Sequence, residues 1–509
     1  MSHLIVLPVI LPALLGPFII MVIRHQIDLQ RIFSVAGTVG LVIISLMLVS
    51  QVSDGRVHVY ELGDWPAPFG IVLVLDRLSA SMLLLTTVLG LAVVLYAIGS
   101  GWDDRGRNFH ALIQFQLMGI LGAFLTGDAF NLFVFFEVLL IASYGLMIHG
   151  GGATRLRAGV QYVVYNLLGS TLFLFALGVI YGVTGTLNMA DIAVRVAELP
   201  AEDTALLRVG AVMLLLVFAI KGAVLPLHFW LPGTYANAPL PVAALFAIMT
   251  KVGAYAILRI YTLAFGPEVE ATAGLAGNWL LPAALLTLIA GSVGVLGARD
   301  IGRLIAFGTI ASVGTLLVSV ALFTPQATSV AIYYIIHSTL ASAILFLVGD
   351  LIVERRGGAI SPTAPMPQNG LIASLFFIGA IAMAGMPPLS GFIGKLLVMD
   401  AARGSDLVWT IWAVILISSL VTIVGLARAG VTIFWKSYDA STPIPETGDD
   451  AAQNLSPKAL PFVAIFGLIF GLVLLTVFSG PLMTYTDATA QALYDPDDYI
   501  NSVLRSSDK

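Results

Sequence analysis

The chain has 509 residues, of which 59% are hydrophobic and only 10% are charged, and its formal net charge is -5. Soluble domains carry about 25% charged residues, so this composition excludes a soluble globular protein and predicts an all-α protein that crosses a membrane many times. The chain contains no cysteine, which excludes disulfides, thiolate-bound metals and cysteine-ligated iron–sulfur clusters.

Fourteen apolar runs follow one another along the chain, and each is long enough to cross about 30 Å of hydrocarbon as a helix. The first run is too long for the core of a signal peptide and lacks a basic leader, which predicts a retained span. The two longest runs, 207–238 and 371–400, both contain prolines. The predicted spans are 4–23, 32–51, 77–99, 109–126, 129–148, 160–183, 207–238, 241–264, 278–297, 301–323, 329–352, 371–400, 408–434 and 459–481.

The basic residues indicate how these spans are oriented. Most Lys and Arg residues near span ends lie at loops that follow odd-numbered spans, as Arg24, Arg105 and Arg155 do. The positive-inside rule places such loops in the cytoplasm. With an even number of spans, we expect both termini outside the cell, in the plasma membrane of a prokaryote. The tail that follows the last span is expected to be solvated.

Two spans carry prolines in their interiors and a lysine nearby. The seventh contains KGAVLPLHFWLP from Lys221, with Pro226 and Pro232, and the twelfth contains GMPPLSGFIGK, with Pro387 and Pro388. Proline removes a backbone donor and clashes with the preceding turn, so each helix should break there. Broken helices of opposite direction in corresponding positions indicate inverted repeats. The predicted organisation is N-terminal helices in 1–108, a first five-helix repeat in 109–264, a second, inverted repeat in 278–434, a cytoplasmic loop in 435–458, and the last helix with its tail in 459–509.

A few ionisable residues lie inside the predicted spans. Lysine near the membrane midplane costs about 2.5–3.5 kcal/mol on insertion scales, so Lys221, Lys251 and Lys395 are candidate functional residues. A lone polar residue can also serve only to hold two helices together, and this structural alternative stays open for His228 and His337.

Residue spacing places some of these groups on common helix faces. Lys251, Tyr255 and Arg259 recur every four residues, so they share one face of the eighth span and should point at a polar interior. In the fifth span, Asp128 and Asn131 lie near the outer boundary, at the entrance to the helix.

Glu137 lies about two helical turns deeper in the fifth span than Asp128 and Asn131 at its entrance. A buried Glu beside a buried Lys is the simplest arrangement that keeps both charged, so we expect Glu137 to pair with Lys221. Separation of such a pair would drive the lysine proton onward, which is what a proton relay requires. His228 and His337 can relay protons near neutral pH.

Several motifs together resemble a known superfamily over roughly residues 70–435. They are FNLFVFFE ending at Glu137, KGAVLPLHFWLP starting at Lys221, RDIGRLIAFGTIASVG from Arg299 to Gly314, and GMPPLSGFIGK ending at Lys395. The chain is similar to the antiporter-like subunits of respiratory complex I, membrane-bound hydrogenases and the multisubunit Na+/H+ antiporters called Mrp. The stretch YELGDWPAPFGIVLVLDRLSA resembles the Mrp branch, and the length fits the D-type subunits of that branch better than the larger A-type subunits.

The resemblance implies a set of proton-carrying residues along the membrane midplane. Several relatives carry a further lysine after the span-11 histidine, where this chain has Ala341 and Ser342. The relay between the halves would then depend on that histidine, on water, and on hydroxyls such as Ser338 and Thr339. The residues that match the family's polar axis are Glu137, Lys221, Lys251, His337 and Lys395, with His228, Arg259, Tyr255 and Asp128 in supporting positions.

The function that these observations predict is that of a proton-translocating subunit in a hetero-oligomeric cation/proton antiporter. The alternative is a proton-pumping membrane subunit of complex I or of a membrane-bound hydrogenase. A stand-alone solute carrier and a membrane enzyme are weaker rivals, because no separate substrate pocket and no nucleophile–base set is visible. Lysines repel cations, so we expect Na+ to pass at another subunit or at an interface. We predict no metal site, no cofactor and no nucleic-acid partner for this chain.

Overall fold

The computed structural model describes residues 2–199, 204–439 and 459–504. Most of the predicted cytoplasmic loop and the last residues of the tail therefore lie outside the described residues. The helices are α1 (Leu7–Met21), α2 (Ile27–Gln51), α3 (Arg77–Ser100), α4 (Phe109–Leu125), α5 (Ala129–Met147), α6 (Ala153–Thr184), α7 (Met189–Ala197), α8 (Ala205–Lys221), α9 (Trp230–Asn237), α10 (Leu240–Phe246), α11 (Met249–Leu263), α12 (Leu275–Gly297), α13 (Ile301–Ala321), α14 (Pro325–Arg356), α15 (Asn369–Ala384), α16 (Ser390–Ala401), α17 (Val408–Gly430), α18 (Ala459–Val477), α19 (Ser479–Tyr494) and α20 (Asp497–Leu504).

The prediction of a helical protein with many membrane spans is confirmed. Within the described ranges, ten helices are long and apolar enough to cross a membrane, with α10 and α11 counted as one. Three shorter apolar helices, α1, α4 and α15, accompany them. Each predicted apolar run coincides with one or two of the observed helices. One two-stranded antiparallel sheet, β1 (His58–Glu61) with β2 (Val72–Leu75), was not predicted.

The two long proline-containing spans, 207–238 and 371–400, are both interrupted, whereas α1 and α12 continue through their prolines. The first interruption separates α8 from α9 and contains Pro226, and the second separates α15 from α16 and contains Pro387 and Pro388. The prediction that Pro232 also breaks a helix is wrong, because Pro232 lies in the first turn of α9. The backbone N–H that proline lacks has no intrahelical partner at that position, so the helix tolerates it.

The backbone groups freed at the two interruptions have partners inside the protein. The indole Nε1 of Trp230 donates to the carbonyl of Ile220 at 2.9 Å, at the end of α8. The Lys395 ammonium donates to the carbonyl of Ala384 at 2.8 Å, at the end of α15. The Ile220 carbonyl also accepts from the backbone N–H of Ala223 at 3.1 Å. Unpaired carbonyls would cost several kcal/mol each in hydrocarbon, so these donors help the helices to end inside a bilayer.

A third interruption, which was not predicted, separates α10 from α11 just before Lys251. No proline lies there. Instead, the Tyr235 hydroxyl donates to the carbonyl of Phe246 at 2.7 Å and takes it out of the helical pattern. A side chain that inserts into the hydrogen-bond ladder is a known cause of a helix kink.

The prediction of a solvated tail is wrong for the part of the tail that the structure describes. The tail forms α19 and α20, and it buries Tyr499 and Val503 against the rest of the chain. The Tyr485 hydroxyl on α19 also donates to the carbonyl of Arg77 at 3.0 Å. The polar composition of this segment concealed an apolar face at helical spacing.

A substitution at Gly385 tests whether the second interruption, between α15 and α16, requires a residue without a side chain. The φ of Gly385 is +76°, and an added Cβ would lie 2.6 Å from Cδ of Lys395. We expect Gly385→Ala to destabilise the protein by at least the roughly 1–2 kcal/mol that the left-handed region costs a residue with a Cβ. The measurement is thermal unfolding of the purified protein in detergent. Gly370→Ala at the other end of α15 is the matched control, because nothing lies within 4 Å of its added Cβ. Equal unfolding temperatures for the two variants would contradict this account.

Candidate functional site

The first part of the site joins α5, α6 and α8 around one buried and one partly buried charged group. Glu137 on α5, which is partly exposed, accepts a hydrogen bond from the hydroxyl of Ser170 on α6. Lys221, the last residue of α8, donates from Nζ to Oδ1 of Asn166 on α6 at 2.9 Å. The Asn166 amide is held in this orientation because its Nδ2 donates to the carbonyl of Tyr162 at 2.8 Å.

The direct Glu137–Lys221 pair expected from the sequence is not formed in this structure. Among the described residues, no salt bridge joins them, and each is instead hydrogen-bonded to its own α6 side chain, Glu137 to Ser170 and Lys221 to Asn166. Asn166 and Ser170 are four residues apart, so they share one face of α6. The carboxylate still lies within electrostatic range of the lysine. The two charges therefore interact through space while each is held by a neutral partner.

Lys251 lies close to this group on α11. Gly253 makes the close packing possible, since a Cβ there would meet the Phe218 carbonyl at 2.9 Å and Cβ of Lys221 at 3.2 Å. Lys251 itself is fully buried, and its Nζ has no hydrogen-bond partner within the described residues. A buried amine without a partner is costly, so this position needs water or a neighbouring group that moves toward it.

The second part of the site lies between α14, α16 and α17. His337 on α14 contacts Ser390 through Nδ1 and Oγ at 2.9 Å. Lys395 donates to Ser419 on α17 at 2.9 Å, in addition to its bond to the end of α15. Lys251 and Lys395 both lie within electrostatic range of His337, which is itself buried. Ser390 and Lys395 both lie on α16, so this helix brings the histidine and the lysine into one group.

The hydroxyls that the sequence suggested for this relay face elsewhere. Ser338 and Thr339 both donate to the carbonyl of Ile335 in their own helix. The hydroxyl that contacts the histidine is Ser390, which follows the second interruption and lies far from the histidine in sequence. Hydroxyls inside helices commonly return to the preceding turn in this way, and sequence adjacency to the histidine did not reveal it.

Tyr255 and Arg259 continue the polar face of α11 beyond Lys251. The Tyr255 hydroxyl donates to the carbonyl of Phe124 at 2.7 Å. Arg259 makes a two-pronged ion pair with Asp76, with distances of 2.6 and 2.9 Å. Burial alone would raise the pKa of Asp76, but the charge and hydrogen bonds of Arg259 outweigh it, and the pKa is lowered. Asp76 is therefore ionised at neutral pH.

Two of the supporting residues predicted from the sequence have other surroundings. Asp128 caps the first turn of α5 and accepts from the backbone N–H of Asn131 at 2.8 Å, which is a structural role. Burial raises the pKa of this carboxyl. His228 lies in the first interruption, partly exposed, with its ring against Phe229. The structure describes no hydrogen bond from its Nδ1.

The site contains polar residues that the sequence analysis missed. Asn166, Ser170, Ser390 and Ser419 each hold one of the predicted ionisable groups. A signal was available for the first two, because they stand four residues apart within the predicted span 160–183. The described ranges contain no group of three or more His, Asp or Glu side chains that could hold a metal ion. The chemistry that this arrangement supports is proton transfer between buried amines, imidazole and carboxylate.

Comparison with known proteins places this geometry in context. Residues 126–422 match the family model described as NADH:quinone oxidoreductase/Mrp antiporter, TM. The chain is 39% identical to the D subunit of the Na(+)/H(+) antiporter of Bacillus subtilis (strain 168), over 99% of this chain and 100% of that protein. It is 36% identical to the D subunit of a probable K(+)/H(+) antiporter of Rhizobium meliloti (strain 1021), over 99% of this chain and 98% of that protein.

A solved structure agrees with these relatives. A chain in the Mrp complex from Dietzia sp. DQ12-45-1b superposes with a TM-score of 0.87 at 28% identity, covering 99% of this chain and 100% of that chain. The resemblance to the Mrp branch that the sequence motifs indicated is confirmed, as is the prediction that the chain is one subunit of a larger assembly.

The hydrogen bond between Asn166 and Lys221 can be tested by a double-mutant cycle. We expect Asn166→Leu to lower the free energy of unfolding by about 1.5–3 kcal/mol, because it leaves a buried ammonium without its acceptor. Lys221→Met should also destabilise, and the double variant should lose less than the sum of both. Thr171→Val on the exposed face of α6 is the control. Strict additivity in chemical denaturation would show that the two side chains do not depend on each other.

Proposed function

Because the chain belongs to the NADH:quinone oxidoreductase/Mrp antiporter family, we propose that it is the proton-translocating subunit of a multisubunit Na+/H+ antiporter. The observation that carries the proposal is the Lys221 ammonium, which is held inside the membrane region by a neutral amide within range of Glu137. A buried lysine with an adjustable carboxylate nearby is suited to binding and releasing a proton. Any redox centre or cation path then belongs to other subunits.

We propose that protons move laterally along Glu137, Lys221, Lys251, His337 and Lys395. The geometry supports this order in two places. Gly253 brings α11 against the end of α8, so that Lys251 and Lys221 belong to one packed group. The histidine then lies within electrostatic range of lysines from both halves. Water would complete the path where hydrogen bonds are missing, in particular at Nζ of Lys251.

The contacts of α6 suggest how the first step is controlled. Glu137 is held by Ser170 and is partly exposed at the surface of this chain, whereas Lys221 is buried against Asn166. An approaching carboxylate stabilises the protonated amine by attraction, and a retreating one removes that stabilisation. Movement of Glu137 between Ser170 and the lysine would therefore load and unload the proton.

We further propose the topology predicted from the sequence, with fourteen spans and both termini outside the plasma membrane of a prokaryote. The two repeats occupy 109–264 and 278–434, and residues 435–458 form a cytoplasmic loop. The paired interruptions support the repeats, since α8–α9 and α15–α16 both break beside a lysine. The distribution of Arg and Lys supports the orientation.

Proton flux in everted vesicles, from a strain without its own antiporters, tests the proposed function. We expect Na+-dependent flux only when the neighbouring subunits are expressed with this chain. Glu137→Gln and Lys221→Ala should abolish it while assembly continues, because each removes one partner of the first step. Glu198→Gln and Lys436→Ala, at exposed positions, are the matched controls. Parallel assays with K+ identify the cation.

Each other result has a definite meaning for the proposal. Flux from this chain alone would make it a self-sufficient carrier. Flux without any cation dependence would assign it to a redox-driven pump. Loss of assembly in Glu137→Gln would show that the carboxylate is needed for structure rather than for proton transfer.

The absence of native cysteine allows a clean test of the topology. Ala153 and Gly404 are exposed at opposite ends of the predicted spans. In intact cells, a membrane-impermeant thiol reagent should label Gly404→Cys and leave Ala153→Cys unlabelled. Everted vesicles should give the reverse pattern. Labelling of both variants from one side would disprove the proposed span count.

A further inference from the structure

The face of α11 that carries Lys251 leads away from the predicted axis to a cavity. Tyr255 and Arg259 follow at intervals of four residues, so the row rises by about 6 Å at each step. Nε of Arg259 lies 3.4 Å from the Tyr255 hydroxyl. These three residues therefore form a polar row along α11. The row begins at Lys251, whose Nζ has no hydrogen-bond partner among the described residues, and ends at the ion pair of Arg259 with Asp76.

The cavity lies directly at this ion pair. Its volume is about 390 Å³, which is room for several water molecules. It is lined by Asp54, Asp76, Arg77, Arg259, Asp498 and Tyr499, among others. The Asp76 side chain is 15% exposed, whereas that of Arg259 is only 4% exposed. Both members of the pair therefore line the cavity, and the carboxylate is the more exposed of the two.

The C-terminal helix α20 covers the guanidinium. Arg259 lies between two aromatic rings, 5.5 Å from the centroid of Tyr255 and 5.3 Å from that of Tyr499. Tyr499 is 5% exposed. A cation held between aromatic faces gains attraction from both rings, so Tyr499 keeps Arg259 in its paired position.

The preceding helix connects this cover to the other half of the protein. On α19, the Thr486 hydroxyl contacts Ser329 at 2.9 Å, and the Tyr494 hydroxyl contacts Thr328 at 3.1 Å. Both partners lie on α14, the helix that carries His337. The tail is thus fixed between the cavity and a helix of the second half, and movement of α14 can reach the cover.

From this geometry we propose that the cavity is the outer mouth of a proton path from Lys251, and that the Arg259–Asp76 pair under Tyr499 is its gate. The inference rests on the proposed proton translocation. While the pair is closed, Asp76 is ionised and bound, so it does not take up a proton. When Arg259 withdraws, the Asp76 carboxylate loses its partner and accepts the proton that the Lys251 ammonium releases through intervening water. Asp76 then passes this proton to cavity water, which leaves Lys251 neutral and Asp76 ionised again.

A merely structural role explains these observations less well. A buried ion pair is weak grounds for stability, because apolar residues of similar volume often serve as well. A structural pair also needs neither an adjacent water-sized space nor a removable cover. Here the Arg259–Asp76 pair, the cavity and Tyr499 lie at one end of the polar row on α11. At the other end is Lys251, which is buried and has no hydrogen-bond partner in the described part of the chain.

The first test measures access to the cavity in the complete complex, independently of transport. Leu263→Cys lies on the cavity wall, and Leu258→Cys is a buried control on the same helix that does not line the cavity. We expect labelling of Leu263→Cys by an impermeant thiol reagent in intact cells to rise several-fold when Tyr499→Ala is added. Tyr499→Phe keeps the ring and should leave labelling unchanged, and Leu258→Cys should stay unlabelled throughout.

The second test measures proton leak in everted vesicles that contain the same complexes. Tyr499→Ala should dissipate a proton gradient several-fold faster in the absence of added cation, and Tyr499→Phe should not. Tyr499→Leu replaces the alanine variant if that fails to assemble, because it keeps apolar volume without an aromatic face. Faster labelling without faster leak would show a cavity that is not on the proton path and would overturn the proposal.

The remaining outcomes are equally decisive. No change in labelling or leak would show that Tyr499 is not a cover. Labelling only from the cytoplasmic side would exclude an outer mouth. If the wild-type complex shows no cation-dependent flux, the proposed function fails, whereas the access measurement still reports on the gate.

Discussion

The constraint on which this structure depends is that every charge and every free backbone group inside the hydrocarbon needs a partner in the protein or in water. The chain places three lysines in that region and interrupts three helices there, two at prolines and one just before Lys251. The freed helix ends are met by specific side chains, as Trp230 meets the end of α8 and Lys395 meets the end of α15. The polar interior follows from the need to satisfy these groups.

The two interruptions solve the same problem with different residues, and the difference matters for function. In the first, the Trp230 indole and the backbone N–H of Ala223 both donate to the freed carbonyl, and Lys221 donates to Asn166 instead. In the second, Lys395 is itself the donor to the freed carbonyl. The first lysine can therefore exchange partners without disturbing a helix end, whereas any movement of the second alters the end of α15.

The tail shows why a polar segment should be judged by its helical faces rather than by its average composition. The residues of α19 and α20 are partly polar and partly apolar. Their side chains nevertheless contact three other helices: Tyr485 contacts α3, Thr486 contacts α14, and Tyr499 contacts Arg259 on α11. The last two helices thereby connect the region around Asp76 with α14. A segment without any transmembrane signal thus joins the two halves of the protein, on the face where the ion pair meets the cavity.

The sequence alone predicted most of the helices, the two interruptions at prolines, and the burial of Lys221, Lys251, His337 and Lys395. These features depend on local properties, namely the hydropathy of a run of residues and the geometry of proline. Only the tertiary structure decided which groups become partners. Arg259 and Asp76 are 183 residues apart, and Lys221 and Asn166 are 55 apart. Such pairings depend on which helix faces meet, and that is settled by the packing of the whole chain rather than by any one segment of it.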